Sequence, residues 1–419
     1  MAATPPLLIV GASYAGVQLA ASAREFGFEE RIVIVGDELH APYQRPPLSK
    51  GLLTGKTGVD QLQLRGPGFF EQNRIELQLG RRAESLDAGA RTLRLDNGDL
   101  LDYGWLALAT GARCRPFARP GAKLDGVLEL RTLDDALRLA QAAERTQRAC
   151  VIGGGFIGLE VAAALRSRGA AVSVIEAQPQ LLARALPPAM SAYVANAHRR
   201  RGVELLAGRG VRALHGEQGR VAAVELDDGQ RIDCDLVVLG IGVLPNAELA
   251  QQAGIAVDNG ILVDMLGRSS APRVLAAGDV ANMALPAAAG VPARMRLESI
   301  QSANDGAKAL ASLVVGREQP CTAVPWFWSD QFDLKFQMAG LAAPGDEVVL
   351  RGDMDGDRFS VFHLRQGTLV AAQSVNRPAE HMLSRKLIGA RAAAGASQLA
   401  DKSFDLKSLV PKMAEAMAA

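Results

Sequence analysis

Gly11, Ser13 and Gly16 form a glycine-rich turn whose residue types suit phosphate binding. They follow the apolar segment 7–10 and open a predicted helix, so the free N–H groups at the helix N-terminus can bind a pyrophosphate. Ser13 replaces the usual middle glycine and is small enough to leave room for the phosphates. Asp37 lies 26 positions after Gly11, at the end of the next predicted strand, where a carboxylate accepts hydrogen bonds from an adenosine ribose. The pattern indicates a dinucleotide site, and the alternative is a glycine turn of any α/β protein.

A second glycine-rich turn has the complete spacing, with Gly153, Gly155 and Gly158 between a predicted strand and a predicted helix. Glu176 lies 23 positions after Gly153, at the end of the following strand. A carboxylate at this place binds the 2′-hydroxyl of an adenosine ribose and repels a 2′-phosphate. No arginine stands in the two positions after Glu176, so the pattern favours NADH over NADPH.

The chain of 419 residues is too long for one ordinary core, so two or three domains are expected. Its formal net charge of +1 gives no overall field that would point to nucleic acid or a membrane. The apolar runs are too short to span a bilayer, and the first residues lack the pattern of a signal peptide. The 5 histidines are scattered and suggest no metal site, and the 4 cysteines form no C-x-x-C pair. Reduced cysteines and a cytoplasmic location are therefore expected.

Each glycine turn is predicted to lie in a β-α-β segment, so the chain has two Rossmann-type units. Strands are expected at 7–10 and 31–35 around the first helix, and at 149–152 and 171–175 around the second. From Val324 onward, strands separated by Gly, Asp and Pro predict a third, antiparallel α+β domain. Its strands are expected at 326–336, 346–351, 358–364 and 368–374.

Four further segments are similar to segments of one known family. They are Pro42–Lys50, Leu106–Gly111, Val274–Val280 and Pro325–Phe332. Together with the glycine turns they resemble the NADH-dependent, FAD-containing ferredoxin and redoxin reductases of the putidaredoxin reductase type. That family includes the ferredoxin reductase components of aromatic-ring dioxygenase systems. The resemblance covers nearly the whole chain.

The resemblance implies an α/β fold like that of glutathione reductase, with two Rossmann-type dinucleotide-binding domains and a C-terminal α+β domain. The FAD-binding domain is expected to be discontinuous, at 1–113 and 244–322. The NAD-binding domain is expected between these two parts, at 114–243. The C-terminal domain is expected at 323–405, followed by a tail at 406–419.

The same resemblance assigns FAD contacts to residues far apart in the chain. Lys50 would lie near the flavin and stabilise its reduced form by its positive charge. Asp279 would bind the ribityl hydroxyls, Arg131 would face the pyrophosphate, and Trp328 would lie against the isoalloxazine. The other expected FAD contacts are Gly11, Ser13, Ala15, Gly16, Asp37, Ala83, Thr110, Gly111 and Ile300.

The nicotinamide side of the site is likewise implied by the resemblance. Glu160 follows the second glycine turn and would approach the nicotinamide carboxamide opposite Lys50. Lys50, Glu160 and Trp328 are thus the expected catalytic residues. The expected NAD contacts are Gly153, Gly155, Ile157, Gly158, Glu160, Glu176 and Gly242.

Each of the charged or aromatic side chains has a plainer interpretation. Lys50 could be a surface lysine before a helix, Glu160 an acid in the first turn of a helix, and Arg131 a solvated charge. Asp279 could serve only to cap a helix, and Trp328 could serve only to pack in a core.

The electron acceptor is inferred partly by elimination. Disulfide reductases of this fold use paired cysteines and related oxidases use a single one, but residues 38–50 contain none. Electrons that enter from NADH as a hydride would therefore leave from the flavin itself, which can release them one at a time. The resemblance implies that their acceptor is a small [2Fe–2S] ferredoxin that serves a cytochrome P450 or a ring-hydroxylating dioxygenase. A basic docking patch would attract this partner. The candidate residues for it are Arg65, Arg294, Arg296, Lys335, Arg385 and Lys386.

Two alternative functions stay open at this point. An NADH-dependent reductase of rubredoxin or monodehydroascorbate would use the same sites and differ only in its acceptor. A flavin-bound signalling protein of the apoptosis-inducing-factor type would share the fold and act through partner or nucleic-acid contacts. The sequence is compatible with a monomer and with a homodimer.

Overall fold

The computed structural model describes residues 5–286 and 290–410. Its strands and helices are numbered along the chain and belong to three units, which we call the N-terminal, the inserted and the C-terminal unit. Within the described ranges, no helix is long and apolar enough to cross a membrane, and no group of His, Cys, Asp or Glu side chains could hold a metal ion.

The N-terminal unit is built on a five-stranded parallel sheet. Its strands are β1 (Leu7–Val10), β2 (Ile32–Gly36), β3 (Ile75–Leu79), β7 (Trp105–Leu108) and β19 (Val274–Ala276). They lie in the order β19-β7-β1-β2-β3, and the central strands are apolar throughout because both faces of the sheet are covered. The helices of this unit are α1 (Tyr14–Glu25), α2 (Phe69–Gln72), α6 (Glu248–Gln252) and α7 (Ile300–Val314). Helices α1 and α7 pack against each other, so a late segment of the chain completes the first unit.

The inserted unit repeats this plan with a second five-stranded parallel sheet. Its strands are β9 (Val127–Glu129), β10 (Arg148–Ile152), β11 (Ala171–Glu176), β12 (Val203–Ala207) and β16 (Leu236–Leu239). They lie in the order β12-β11-β10-β16-β9. The helices are α3 (Leu133–Ala143), α4 (Phe156–Ser167) and α5 (Pro188–Arg200). In both units a glycine turn joins the central strand to its helix, which places the helix N-terminus at the carboxyl edge of the sheet.

Smaller sheets extend both units. A three-stranded antiparallel sheet is formed by β4 (Ala83–Asp87), β5 (Thr92–Leu95) and β6 (Leu100–Asp102). A second is formed by β13 (Val211–Glu217), β14 (Arg220–Leu226) and β15 (Arg231–Asp233). A mixed sheet is formed by β18 (Ile261–Val263), β20 (Ala281–Ala284) and β21 (Arg294–Met295).

A short antiparallel ribbon carries the chain into the inserted unit and back out of it. Strand β8 (Ala112–Cys114) leads in, β17 (Val243–Pro245) leads out, and the two are paired. Thr110 Oγ1 donates to the carbonyl of Asn246 at 2.7 Å, and the Asn246 side-chain amide donates to the carbonyl of Thr110 at 2.9 Å. These bonds hold together the two chain segments that connect the N-terminal unit to the inserted unit.

The C-terminal unit is a five-stranded antiparallel sheet with helices that follow it. The strands are β22 (Trp326–Gln331), β23 (Leu334–Gly340), β24 (Glu347–Asp353), β25 (Arg358–Arg365) and β26 (Thr368–Val375). They lie in the order β22-β23-β26-β25-β24. The helices are α8 (Pro378–Gly389) and α9 (Ala396–Ala400). One buried apolar cluster contains side chains of this sheet, including Phe336 and Phe359, together with side chains of the inserted unit, so the two units share a core.

Two predictions for this unit were wrong. The single strand expected at 326–336 is a hairpin, because Phe332 adopts a positive φ of 57° and turns the chain between β22 and β23. The tail expected from residue 406 begins too early, because Leu406 is buried against the C-terminal unit and starts a 3-10 helix that ends at Leu409. The remainder of the expected tail, 411–419, lies outside the described residues.

Candidate functional site

The first glycine turn is shaped by contacts that only glycine permits. Gly11 has a φ of +124°, and a Cβ there would overlap the carbonyl oxygen of Ala109. A Cβ on Gly16 would overlap the carbonyl oxygen of Gly11, so helix α1 can approach the turn only without a side chain. The Ser13 side chain makes no capping bond, and the first turn of α1 has no acidic residue. The N-terminal N–H groups of α1 are therefore available for an anion such as a pyrophosphate.

Two arginines add positive charge around this turn. Arg45 Nε lies 3.4 Å from Ser13 Oγ, and another Arg45 nitrogen donates to the carbonyl of Arg131 at 2.6 Å. The Arg131 guanidinium forms an ion pair with Asp279 at 2.8 Å. Burial opposes the charge on Arg45, but Tyr43 and Glu38 raise its pKa, so this guanidinium stays positive. A dianionic pyrophosphate fits this arrangement of donors.

Some of the other predicted FAD contacts meet at the first glycine turn, and the rest lie on neighbouring elements. Gly278, with a φ of +77°, lies against Ala15 and brings Asp279 to the start of α1. A Cβ on Gly111 would lie 3.5 Å from the Arg131 guanidinium. The structure thus brings five of the predicted residues together, namely Ser13, Ala15, Gly111, Arg131 and Asp279.

The remaining predicted FAD residues occupy the flanks. Asp37 lies exposed one residue beyond β2, and Ala83 begins β4 in the neighbouring small sheet. Ile300 begins α7, which packs against α1 and against the 3-10 helix Gly278–Val280. The helix-cap interpretation of Asp279 is wrong, because strand β20 and not a helix follows it.

The second glycine turn also excludes side chains at its first and last glycines, but it leaves space at its middle glycine. Gly153 has a φ of +112°, and a Cβ there would overlap the carbonyl oxygen of Gly240. A Cβ on Gly158 would in turn overlap the carbonyl oxygen of Gly153. At Gly155, by contrast, nothing lies within 4 Å of the place that a Cβ would take, so a phosphate can approach the N-terminus of α4.

Glu176 is oriented by the backbone around this turn. Its carboxylate accepts hydrogen bonds from the N–H of Gly154 and the N–H of Gln178, both at 2.7 Å. Ile157 is 47% exposed in the first turn of α4, and Gly242 follows β16 with a φ of +97°. The predicted NAD contacts other than Glu160 therefore lie around one edge of the second sheet.

Glu160 lies inside the protein and joins all three units. Its side chain is 1% exposed, and Oε2 accepts bonds from Lys50 Nζ at 2.7 Å and from Ser49 Oγ at 2.5 Å. The other oxygen, Oε1, accepts a bond from Ser329 Oγ at 2.6 Å. The interpretation as a first-turn acid is wrong, because α4 has no acidic residue in its first turn. The surface interpretation of Lys50 is also wrong, because its side chain is mostly buried and is paired with a buried carboxylate.

Trp328 lies in an aromatic row on strand β22. Its ring centroid is 5.6 Å from that of Trp326, and the Arg385 guanidinium lies 4.5 Å above the Trp326 ring. Phe327 faces the other way and contacts Phe156 at the start of α4, with centroids 4.7 Å apart. Alternate residues of β22 therefore pack toward the inserted unit, while Trp326 and Trp328 stay half-buried.

The six candidate basic residues of the docking patch differ in whether their side chains are already bonded within the protein. Arg294 donates to the carbonyls of Val263 and Asn282, and Arg296 donates to the carbonyl of Asp279 and pairs with Glu298. Arg65 donates to the Gln18 side chain. Lys335 and Lys386 are exposed, and Arg385 covers Trp326. Internal bonds thus occupy three of the six residues.

The four cysteines have free thiols. All four lie within the described residues and none forms a disulfide. A hydrogen bond with Cys234 and burial hold the pKa of the Cys150 thiol far above its usual range. Burial also raises the pKa of Cys114 to about 11 and raises that of Cys321. A thiolate nucleophile is therefore disfavoured at all three of these positions.

The residues that sequence reasoning missed are those that complete the Glu160 and pyrophosphate surroundings. Ser49 and Arg45 lie inside Pro42–Lys50, and Ser329 lies inside Pro325–Phe332. Of these two segments, only Lys50 and Trp328 were predicted to have a role in the site. The polar residues of these two segments could have been considered individually as further members of the site.

Two glycine turns that suit two dinucleotides, in two parallel-sheet units joined by a buried ion pair, are typical of the class of proteins that bind two dinucleotides. Residues 5–307 match the family described as pyridine nucleotide-disulphide oxidoreductase, and residues 326–410 match the family described as reductase C-terminal. The chain belongs to the pyridine nucleotide-disulphide oxidoreductase family.

Similar proteins cover almost the whole chain. Rhodocoxin reductase of Rhodococcus erythropolis is 42% identical over 96% of the chain and 93% of its own length. The ferredoxin–NAD(+) reductase component of the anthranilate 1,2-dioxygenase system of Burkholderia cepacia is 40% identical over 97% of the chain and 99% of its own length. The reductase in the crystal structure of the covalent putidaredoxin reductase–putidaredoxin complex is 35% identical, with a TM-score of 0.93 and full coverage of both chains.

These similarities confirm several predictions. The fold class, the ferredoxin reductase type of family and the use of FAD and NAD(H) are confirmed. The chain is therefore an oxidoreductase.

Proposed function

We propose that this oxidoreductase takes electrons from NADH in preference to NADPH and delivers them one at a time to a small [2Fe–2S] ferredoxin. The observation that carries the proposal is the buried Lys50–Glu160 pair, which joins the unit with the first glycine turn to the unit with the second. A charged pair is costly to bury, and this one lies between the units that carry the two glycine turns. FAD, when bound, supplies the conversion of a two-electron hydride donor into single-electron delivery.

FAD is proposed to bind along the N-terminal unit. The N-terminus of α1 and the Arg45 and Arg131 guanidiniums hold its pyrophosphate, while Gly11 and Gly16 keep the turn open. Asp279, fixed by Arg131, binds the ribityl hydroxyls. Asp37, Ala83, Thr110, Gly111, Ala15, Ser13 and Ile300 complete the proposed contacts.

NADH is proposed to bind across the inserted unit. Gly153, Gly155 and Gly158 admit its pyrophosphate, and Glu176 accepts the hydroxyls of the adenosine ribose. Glu160 binds the carboxamide and so orients the nicotinamide, and Lys50 balances the charge of Glu160. Ile157 and Gly242 line the remaining edge.

The proposed exit for electrons is the half-buried aromatic row of β22. Trp328 lies there beside Trp326, and Arg385 supplies positive charge next to it. An acidic redox protein would be attracted to such a surface. The solved complex of a similar reductase with putidaredoxin supports a partner of this kind. The carrier is proposed to serve a cytochrome P450 or a ring-hydroxylating dioxygenase in the cytoplasm.

We also propose that the functional division of the chain follows the predicted boundaries. The β8–β17 ribbon supports an NAD-binding domain at 114–243 within an FAD-binding domain at 1–113 and 244–322. The C-terminal domain starts at 323 and extends beyond the predicted residue 405, since Leu406 belongs to its core.

Anaerobic stopped-flow spectroscopy tests this proposal on the FAD-loaded protein. The flavin band should bleach rapidly with NADH and much more slowly with NADPH, and oxidised [2Fe–2S] ferredoxin should then restore it. If NADH bleaches the flavin band and ferredoxin does not restore it, the proposed ferredoxin partner is wrong, but the assignment as an NADH-reducible flavoprotein stands. Equal rates with NADH and NADPH would remove the coenzyme preference.

A further inference from the structure

A chain of buried polar side chains continues from Glu160 into the interior. Ser329 Oγ bonds to Glu160 Oε1, and Gln331 Nε2 lies 3.1 Å from the same Ser329 Oγ. Gln331 Oε1 lies 2.8 Å from His198 Nε2. Ser329, Gln331 and His198 are all fully buried, and none of them was used in the function proposed above. The chain links β22 of the C-terminal unit to α4 and α5 of the inserted unit.

The direction of every bond in this chain follows from the carboxylate at its end. An ionised carboxylate only accepts hydrogen bonds, so Ser329 must donate its one hydroxyl proton to Glu160. Ser329 Oγ must then accept from Gln331, which places the Gln331 amide nitrogen toward the serine. The Gln331 oxygen therefore faces His198 and requires a proton on Nε2 of that ring.

His198 is held in a single neutral form by its surroundings. Burial lowers the pKa of His198 to about 4, and the Arg201 guanidinium acts in the same direction. His198 Nδ1 is buried with no hydrogen-bond partner among the described residues, which suits an unprotonated nitrogen. Phe332 covers the ring, with centroids 5.2 Å apart. The protonated form would add a second buried donor, at Nδ1, with no partner among the described residues.

We propose that Ser329, Gln331 and His198 are positioning residues that fix the orientation of the Glu160 carboxylate. Lys50 and Ser49 bind Oε2, and among the described residues Ser329 alone binds Oε1. Without that chain the carboxylate can rotate about its terminal bond. The part of this inference that concerns nicotinamide orientation rests on the proposed function, whereas the direction of the bonds does not.

The same sheet offers a matched control. His363 Nε2 lies 2.7 Å from Gln373 Oε1, and both residues are buried as His198 and Gln331 are. This second pair joins neighbouring strands β25 and β26, and the structure gives it no bond to Glu160. A role limited to packing would make the two pairs equivalent, while a positioning role would not.

The first test reads the bond direction on the unmutated holoprotein. Nitrogen-15 NMR of histidine-labelled protein reports which ring nitrogen is protonated, and His198 can be assigned from its contact with the Phe332 ring and from the loss of its signal in His198→Asn. We expect a neutral ring with the proton on Nε2 from pH 6 to pH 9. A proton on Nδ1, or a charged ring at pH 7, would overturn the proposal.

The second test separates positioning from packing. Ser329→Ala should lower the rate of flavin reduction at saturating NADH about 10-fold, with a smaller change in the dissociation constant for NAD⁺ measured by calorimetry on the oxidised holoprotein. Ser329→Thr, which keeps the hydroxyl, should recover most of the rate. Gln331→Leu should behave like Ser329→Ala, and Gln373→Leu should not.

The outcomes distinguish this inference from the proposed function. If the unmutated protein is not reduced by NADH at all, the proposed function fails, but the NMR result stands by itself. If NADH reduces the unmutated protein and Ser329→Ala equally fast, the positioning role fails and the proposed function survives. Equal losses in Gln331→Leu and Gln373→Leu would likewise remove the positioning role.

Discussion

Glu176 is the side chain on which the proposed choice between NADH and NADPH depends. Its carboxylate is aimed by the N–H groups of Gly154 and Gln178, so its orientation is set by the glycine turn itself. The negative charge attracts ribose hydroxyls and repels a phosphate at the same place. Coenzyme choice therefore follows from one charge in a fixed position.

Glu176→Ala should weaken NADH use and leave NADPH use unchanged or improved. The loss of two ribose hydrogen bonds should raise the KM for NADH about 10-fold. Steady-state kinetics with both coenzymes measures the ratio. Glu204→Ala is the control, since Glu204 lies on the adjacent strand and bonds only to Ser173 Oγ in the described structure. An unchanged ratio in Glu176→Ala would rule out this residue as the selector.

Lys50→Met should affect both stability and reduction. Glu160 would stay buried with two hydroxyl donors and no cation, so the free energy of unfolding should fall by about 1–3 kcal/mol. Reduction by NADH should slow by at least about 10-fold, because a charge beside the reacting groups is removed. Urea unfolding and stopped-flow reduction check the two effects. Lys335→Met, at an exposed lysine, should change neither, and a wild-type rate in Lys50→Met would contradict the role given to Lys50.

The two glycine turns are the elements that we propose bind the two dinucleotides. In each, a positive φ and a carbonyl contact exclude any side chain at the first glycine. The helix that follows can then begin within reach of a phosphate. Because these constraints are local, they can be tested one turn at a time.

Gly153→Ala should weaken NADH binding by at least about 10-fold and leave the FAD content unchanged, because the new Cβ displaces the start of α4. Gly11→Ala should instead reduce the FAD content of the purified protein. Absorbance spectra and coenzyme titration measure both. Gly169→Ala is the control, since Gly169 also has a positive φ, of 99°, but has nothing within 4 Å of a Cβ. If Gly169→Ala weakened NADH binding as much as Gly153→Ala, the overlap at the turn would not be the cause.

The sequence predicted those elements whose signals are local. Strand β1 was expected at 7–10 and has those bounds, because a short apolar run ends there at Gly11. The hairpin within 326–336 was missed because Phe332, and not a glycine or asparagine, adopts the positive φ at its turn. Strand propensity alone could not show that bend.

The candidate site was predictable as a set of positions and not as a set of contacts. Lys50 and Glu160 were both identified, and the structure pairs them at 2.7 Å across 110 positions of sequence. Ser49 and Ser329 were not identified, because a serine has no pattern of its own and acquires its role only when three units pack together. Long-range packing, which sets the bonds of Glu160, leaves no periodic signal in the sequence.

At the scale of the whole molecule, Asp357 ties the C-terminal unit to the inserted unit. It accepts bonds from Tyr193 at 2.6 Å, from Arg200 at 2.9 Å and from Arg201 at 3.1 Å. Burial opposes its charge, but the Tyr193 hydroxyl and the Arg201 guanidinium hold the pKa of the Asp357 carboxyl below its ordinary value of 3.8. The charge of Arg201, a member of this cluster, also lowers the pKa of His198.

Asp357→Asn should lower the free energy of unfolding at pH 7 by about 1–3 kcal/mol. A carboxyl whose pKa is lowered by folding stabilises the protein above its unfolded pKa, and this contribution is lost as the pH falls through the folded pKa. The difference between wild type and Asp357→Asn should therefore narrow below a pH of about 4. Urea unfolding from pH 7 to pH 3 measures it. Asp333→Asn, at a 72% exposed partner of the same Arg201, should have a much smaller effect, and equal effects would contradict the interpretation.

The β8–β17 ribbon is a site at which the inserted unit could be replaced by that of a related protein. The unit is one continuous stretch whose two ends are held side by side by the ribbon and by the Thr110–Asn246 bonds. A graft at this ribbon would replace the whole coenzyme-binding half and break only two peptide connections. The graft would have to bring a glutamate at the place of Glu160 and a histidine at the place of His198, because the host supplies Lys50, Ser49 and the serine and glutamine of β22. It would also have to match the apolar core and the Asp357 contacts that the inserted unit shares with the C-terminal unit. The graft would then carry the coenzyme preference of the donor protein, and the surroundings of Glu160 would be formed by residues of both the donor and the host.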